Sequence, residues 1–148
     1  MKVKWYNTDM KLTQDQLSKI KDYFSLQLDI SLVYLYGSFA YGGPHQRSDI
    51  DFGILFNKKP DYHRLGQVNS ELSDLHLPSE PEAREIHLNQ SPLFLRNVAR
   101  GVCVYAQDEI QRIRFEVKVM NLFRDSEKLR ELRYYYLNKR LQDKTYGY

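Results

Sequence analysis

A chain of 148 residues is long enough to bury the core of one domain and short for two. With 42% hydrophobic and 28% charged residues and one cysteine, it reads as an ordinary globular protein with neither an internal disulfide nor a multi-cysteine metal site. The net charge of +3 is mild, and the basic residues of the C-terminal part alternate with acids, so direct nucleic-acid binding is not expected. No run is apolar enough to span a membrane and no signal-peptide core opens the chain, which points to one cytoplasmic domain over 1–148.

Thr13-Gln14-Asp15-Gln16 is a capping box opening a helix, with Leu17, Ile20, Phe24 and Leu28 along one face. Leu32 to Tyr36 is a short apolar run closed by Gly37, the pattern of a buried strand. Ser38 to Gly43 predicts a turn with a little helix, ended by Gly42-Gly43-Pro44. Ile50 to Phe56 is a second strand, and Asp61 to His76 a helix with Leu65, Val68, Leu72 and Leu75 as its apolar stripe. A third strand is placed at Arg84 to Leu88, despite its polarity. Ser91-Pro92 starts a helix that Gly101 ends. Val102 to Tyr105 forms a fourth strand in which Cys103 reads as a small buried hydrophobe. From Asp108 to about Gln142 the pattern is helical, with a break expected at Arg124-Asp125-Ser126. Its expected stripe is Phe115, Val119, Leu122, Leu129, Leu132 and Tyr136. Alternating helices and strands predict an α/β fold with a small mixed β-sheet flanked by helices.

Chemistry concentrates between Tyr36 and Asp51. On a strand, Asp49 and Asp51 project to the same face, within reach of a common ion. Two carboxylates so close repel unless a cation compensates, and hard oxygen donors without neighbouring His or Cys favour magnesium. Gly37-Ser38 joins a strand to a helix start, where backbone N–H groups and a hydroxyl can meet a phosphate. Each motif is common alone. Their order is specific: apolar strand, Gly-Ser, ten residues, Asp-x-Asp, apolar strand. The histidines His45, His63, His76 and His87 have no zinc-motif spacing.

Gly37-Ser38, ten intervening residues and Asp49-Ile50-Asp51 resemble the signature of the DNA polymerase β-like nucleotidyltransferase superfamily. More narrowly, the Ser48–Phe56 strand, the Leu88-Asn89-Gln90-Ser91-Pro92-Leu93 turn and the long C-terminal helix are similar to minimal nucleotidyltransferases. These are the MNT or MntA-type antitoxins paired with HEPN-domain (HepT-type) toxins. The resemblance implies that fold and Mg2+-dependent transfer of AMP from ATP to a tyrosine of a HEPN ribonuclease, using two ions. It further implies a hetero-oligomer with that toxin, in which the segment 108–142 can serve as a partner-binding element. By position, Gly37 and Ser38 would hold the triphosphate together with Arg47 and Ser48, and Asp49 and Asp51 would ligate the metals.

Two departures stand out. Tyr41 replaces an arginine of the family loop, with Arg47 as its expected substitute. In register with Leu88-Asn89, the family's third carboxylate falls on Arg84. Glu85 is taken as the third catalytic and metal-binding acid, with Glu82, or no third acid at all, as alternatives. The alternative function is a module that neutralises the toxin by binding alone. A ribonuclease toxin is excluded, because no Arg is followed by His at the spacing of the HEPN motif.

Overall fold

The structure, a computed structural model, describes residues 12–41 and 48–143. Helix α1 (Gln14–Ser25) opens with the expected capping box, Thr13 and Gln16 each bonding the other's backbone. It buries Ile20 and Phe24. The helix ends at Ser25 with Leu26 as its C-cap, so Leu28, expected on the core face, lies outside it and is exposed. Strand β1 (Ile30–Tyr36), the short helix α2 (Ser38–Tyr41) and strand β2 (Ile50–Phe56) follow. Then come α3 (Tyr62–Ser73), β3 (Pro81–Glu85), α4 (Pro92–Ala99), β4 (Val102–Ala106), α5 (Glu109–Asp125) and α6 (Glu127–Gln142). Among the described residues, no helix is long and apolar enough to cross a membrane.

The four strands form one mixed sheet in the order β3-β2-β1-β4. β1 runs antiparallel to both β2 and β4, while β3 lies parallel to β2. The central strand β1 is buried almost throughout, which is why it reads as a continuous apolar run without alternation. One face carries Val33, Leu35, Phe52 and Ile54 against Ile20, Phe24, Val68 and Leu72 of α1 and α3. The other carries Leu32 and Tyr34 against Leu95, Val98, Phe115 and Val119 of α4 and α5. Each such large side chain stabilises the fold by roughly 1.5–3 kcal/mol on burial. The Tyr34 hydroxyl donates to Glu116 at 2.9 Å, and Arg112 holds the same carboxylate at 2.8 Å, so α5 is tied to the sheet centre through a satisfied polar contact. Cys103 is buried as expected, and burial pushes its thiol up to about 12.

Two boundaries differ from expectation or sharpen it. β3 begins at Pro81, three residues before the expected start at Arg84, because its ladder with β2 opens where Ile50 N–H donates to the Glu80 carbonyl at 2.9 Å. Its polar residues belong to an edge strand, whose outer side Asn69 covers. The Asn69 Oδ1 accepts from the Ala83 N–H at 2.7 Å and its Nδ2 donates to the Ala83 carbonyl at 3.3 Å. An edge strand closed in this way cannot recruit a further strand at that point. Asn69→Ala is expected to cost about 1–3 kcal/mol in urea-unfolding free energy, since it leaves a part-buried backbone N–H unpaired. An unchanged midpoint would show that β3 does not depend on this clasp.

The long C-terminal helix does break where expected, at Ser126 between α5 and α6. Arg130 locks the corner, donating to the Phe123 carbonyl at 2.8 Å with its guanidinium 3.6 Å above the Phe123 ring. Beyond it the expected stripe fails: Leu129, Leu132 and Tyr136 are exposed, because α6 leaves the body of the domain and buries no residue. The Tyr136 side chain does not point into the core.

At the far end of the sheet from the site, Arg64 grips Asp29 with two bonds of 2.8 Å. Hydrogen bonding to Arg64 holds the Asp29 carboxyl below the ordinary carboxylate range. The stability this contributes is full above the unfolded-state pKa of an aspartate and is lost as pH falls through the lower folded value. Because Asp29 is half exposed, Asp29→Asn is expected to cost only about 0.5–1 kcal/mol at pH 7. The difference between the two proteins should vanish in acid, as read by thermal melts across pH.

Candidate functional site

β1 ends at Tyr36, and Gly37 turns with φ of +75°, a left-handed conformation that side chains disfavour. The turn is seated directly on a carboxylate: a β-carbon at Gly37 would lie 2.6 Å from Asp51 Oδ2. Ser38 then opens α2, with the Ala40 and Tyr41 N–H groups each donating to the Gly37 carbonyl at 3.0 Å. Gly37 and Ser38, the expected phosphate cradle, are thus brought against the expected metal ligand, and only a glycine permits that approach.

Pairing across three strands defines the rest. Tyr36 is the partner of Asp51 on β1, and Glu82 is its partner on β3. Paired residues share a face of the sheet, so Tyr36, Asp51 and Glu82 all project to the side covered by α4 and α5. Asp49 lies two residues before Asp51 and is exposed. Burial raises the Asp51 carboxyl above the ordinary carboxylate range; Glu82 and Asp49 add to the rise, and Arg84 opposes it. The site therefore carries the unfavourable charge expected of carboxylates arranged for a cation.

Glu85 is not part of this group. Strand alternation turns it to the opposite face, where it lines a cleft with Lys59, Asp61, His63 and Asn69 of the α3 end. The acid that the sheet places opposite Asp51 is Glu82. Its partner Arg84 shares the same face, donating to Glu82 Oε1 from Nε at 3.1 Å and from Nη2 at 2.9 Å. Sequence parity carried this signal: Arg84 stands in register with the third carboxylate, and the residue sharing its face is Glu82, two positions away.

Of the remaining expected site residues, Ser48 is buried at the entry to β2, with its carbonyl accepting from the Ser79 hydroxyl. Arg47 and His45 lie outside the described residues. Near Tyr41 positive charge comes from α4, whose Arg100 and Arg96 both oppose the burial-driven rise of the Tyr41 phenol. The Tyr41 hydroxyl donates to the Asn97 carbonyl, which fixes the end of α2 to α4. His63, His76 and His87 are exposed and spread over the surface.

Several features of the site fit a divalent cation. Asp49 and Asp51 are hard oxygen donors of the kind magnesium takes. The buried Tyr36 hydroxyl beside them has no hydrogen-bond partner among the described residues, so the polar groups of this face are not satisfied by one another. A three-ligand cage is nonetheless not assembled: among the described residues, no group of three or more His, Cys, Asp or Glu side chains is placed to hold an ion. Glu82, the acid paired with Asp51 across the sheet, is turned to Arg84 instead.

The family model described as Polymerase beta, Nucleotidyltransferase matches residues 18–110, which spans α1 through the start of α5 and contains the whole site. The chain belongs to this nucleotidyltransferase family. Among solved structures it is similar to a toxin–antitoxin complex with AMP-PNP, at 20% identity and a TM-score of 0.64, covering 82% of this chain and 94% of that one. It is also similar to an MntA–HepT complex at 18% identity and a TM-score of 0.62, over 81% and 94%. A third is a tri-AMPylated HEPN toxin of Shewanella oneidensis in complex with an MNT antitoxin, at 19% identity and a TM-score of 0.62, over 82% and 94%. These likenesses establish a shared polymerase β-like fold. A search of curated protein sequences returns no match.

Proposed function

We propose that this protein is an MNT-type antitoxin that transfers AMP from ATP to a tyrosine hydroxyl of a HEPN ribonuclease toxin and thereby inactivates it. The observation that carries the reading is the Gly37–Asp51 contact, which places a phosphate-approaching turn on the carboxylate of an Asp-x-Asp pair. The structural neighbours support the partner, being complexes of MNT and HEPN proteins.

In this mechanism Gly37 and Ser38 orient the triphosphate, while Asp49 and Asp51 would hold magnesium beside it, with Glu82 as the third donor. Bound magnesium would lower the pKa of the acceptor hydroxyl and neutralise charge on the departing pyrophosphate. The tyrosine oxygen forms a bond to the α-phosphorus as the bond from that phosphorus to the pyrophosphate oxygen breaks. The phenolic proton leaves to solvent or to a nearby carboxylate. The chain's contribution is positioning, worth orders of magnitude when the reacting atoms are held within reach.

α6 is the surface proposed to meet the toxin. It exposes Leu129, Leu132, Tyr134, Tyr135, Tyr136, Leu137 and Leu141 on all sides, a composition that water alone does not favour in a helix. Tyrosines are enriched at interfaces, and Lys128, Arg130, Arg133, Lys139 and Arg140 outnumber Glu127 and Glu131, which suits an acidic partner. Leu132→Asp together with Tyr136→Asp should weaken co-purification with the toxin by at least about tenfold in Kd while leaving the melting temperature unchanged, since neither side chain is buried. Full retention of the complex would move the interface elsewhere.

The test of the activity is intact mass of the HEPN partner before and after incubation with this protein, ATP and magnesium. A gain of one or more AMP units is expected, abolished in Asp49→Asn; a stable complex without any gain overturns the transfer reading. That outcome would favour the second reading, neutralisation by binding alone, for which the pairing of Glu82 with Arg84 is the motivating observation.

A further inference from the structure

The acidic face of the site contains a cation of its own. Arg84 rises from β3 next to Glu82, in register with Gly53 and on the same face as Asp51 and Tyr36. Its guanidinium contacts Glu82 through two nitrogens, and the pair stays substantially exposed, at 56% for Arg84 and 43% for Glu82. Asn69 fixes the strand beneath them through Ala83, the residue between the two, so neither backbone is free to slide away. Glu82 is the carboxylate that the sheet pairs with Asp51, yet among the described residues no three-acid group is formed. Among the described residues, the hydrogen-bond and ion-pair partner of the Glu82 carboxylate is Arg84.

We propose that Arg84 is a resident counter-cation that competes with divalent metal for Glu82, so that this site binds metal weakly by itself. The inference rests on the nucleotidyltransferase reading of the site and names its regulation. A guanidinium on one oxygen of Glu82 neutralises the charge a metal would use and fixes the rotamer away from Asp51. An arginine fork also matches phosphate oxygens, so a bound triphosphate is the ligand best able to draw Arg84 off and release Glu82. Metal capture is thereby made to depend on nucleotide, which suppresses idle loading of the site. Arg84 is a positioning residue in this scheme, acting through Glu82.

The test uses Mn2+ alone as the probe, titrated by calorimetry or by the loss of its free electron-spin resonance signal. Arg84→Gln removes the charge at an exposed position, and should bind Mn2+ at least about tenfold more tightly than the wild type, equivalent to about 1.4 kcal/mol. Arg84→Lys retains a cation and should stay within threefold of wild type. Arg84→Gln combined with Glu82→Gln should lose the gain. Thermal melts identify any variant that fails to fold; Arg84→Met, which also removes the charge, then takes the place of Arg84→Gln, with the Glu82→Gln single variant expected to lie near wild type. If Arg84→Gln binds Mn2+ no more tightly, or if the gain survives loss of Glu82, the proposal is overturned. ATP binding by the wild type, followed separately, tells the two failures apart. Nucleotide bound normally with Mn2+ affinity unmoved rejects the counter-cation alone, whereas no nucleotide and no Mn2+ binding in any variant rejects the nucleotidyltransferase reading with it.

Discussion

Asp51→Asn is expected to abolish AMP transfer, by more than about a thousandfold, while making the protein more stable. The loss should exceed the 10²–10³ that goes with one transition-state hydrogen bond, because the substitution removes the charge of a proposed metal ligand. The gain follows from the same geometry. In the folded protein the charged form of Asp51 is disfavoured by burial and then by Glu82 and Asp49, with Arg84 offsetting only part. Asn keeps the shape and removes the charge, so the melting temperature should rise by about 2–4 °C for each kcal/mol relieved. The pH dependence gives an independent sign. An acid whose folded pKa is raised binds its proton more readily folded than unfolded, so this group makes stability fall as pH rises through the interval between the ordinary aspartate value and the higher folded one. Asp51→Asn should remove that component of the slope. Melting curves of both proteins from the ordinary aspartate value, about pH 4, up to neutral pH, and the AMP-transfer assay at fixed pH, check the pair of effects. A variant that transfers at wild-type rate would end the assignment of Asp51; one that is inactive but less stable would mean that the carboxylate is held by contacts that compensate its burial.

That trade between stability and function explains what could be read from the sequence. The core strands announced themselves because β1 and β2 bury nearly every residue, and the starts of α1 and α4 did so because Thr13 bonds back within its own turn and Pro92 sits where no N–H is needed, though the Ser91 side chain makes no cap bond. The place of Asp51 on β2 was legible for the same local reason, while Asp49, expected on the same strand, falls one residue before its start. The third acid was not local. Whether Glu82 or Glu85 faces Asp51 depends on the pairing of β3 with β2, and that pairing is set by Ile50 bonding Glu80 and by Asn69 clasping Ala83, contacts distant in sequence. The C-terminal stripe misled for the opposite reason. Leu129, Leu132 and Tyr136 have the spacing of a buried face, but the described residues leave them exposed. Periodicity reports that a helix face is apolar; it does not say whether the covering surface belongs to the same chain.

Gly37→Ala is the other substitution with a large expected effect, and it separates the turn from the carboxylates. Two costs arise at once. A residue with a β-carbon at φ of +75° carries about 1–2 kcal/mol of backbone strain, and that β-carbon would stand 2.6 Å from Asp51 Oδ2, closer than atoms can rest. The clashing atom is the free end of a side chain, so the fold survives by rotating the Asp51 carboxylate away. A displacement of about an ångström at a reacting centre costs on the order of 10²-fold in rate, and that is the expected loss of AMP transfer. Metal affinity should fall in parallel, because the displaced oxygen is the proposed ligand. Circular dichroism should remain that of the wild type, with a melting temperature lowered by only a few degrees, about 2–4 °C per kcal/mol of strain. If transfer stays within threefold of wild type, the close contact between turn and carboxylate is not what arms the site, and the phosphate cradle must be sought at other backbone groups of the loop. If transfer is lost while Mn2+ affinity is kept, Gly37 serves the triphosphate directly, and its contact with Asp51 is the consequence of that service.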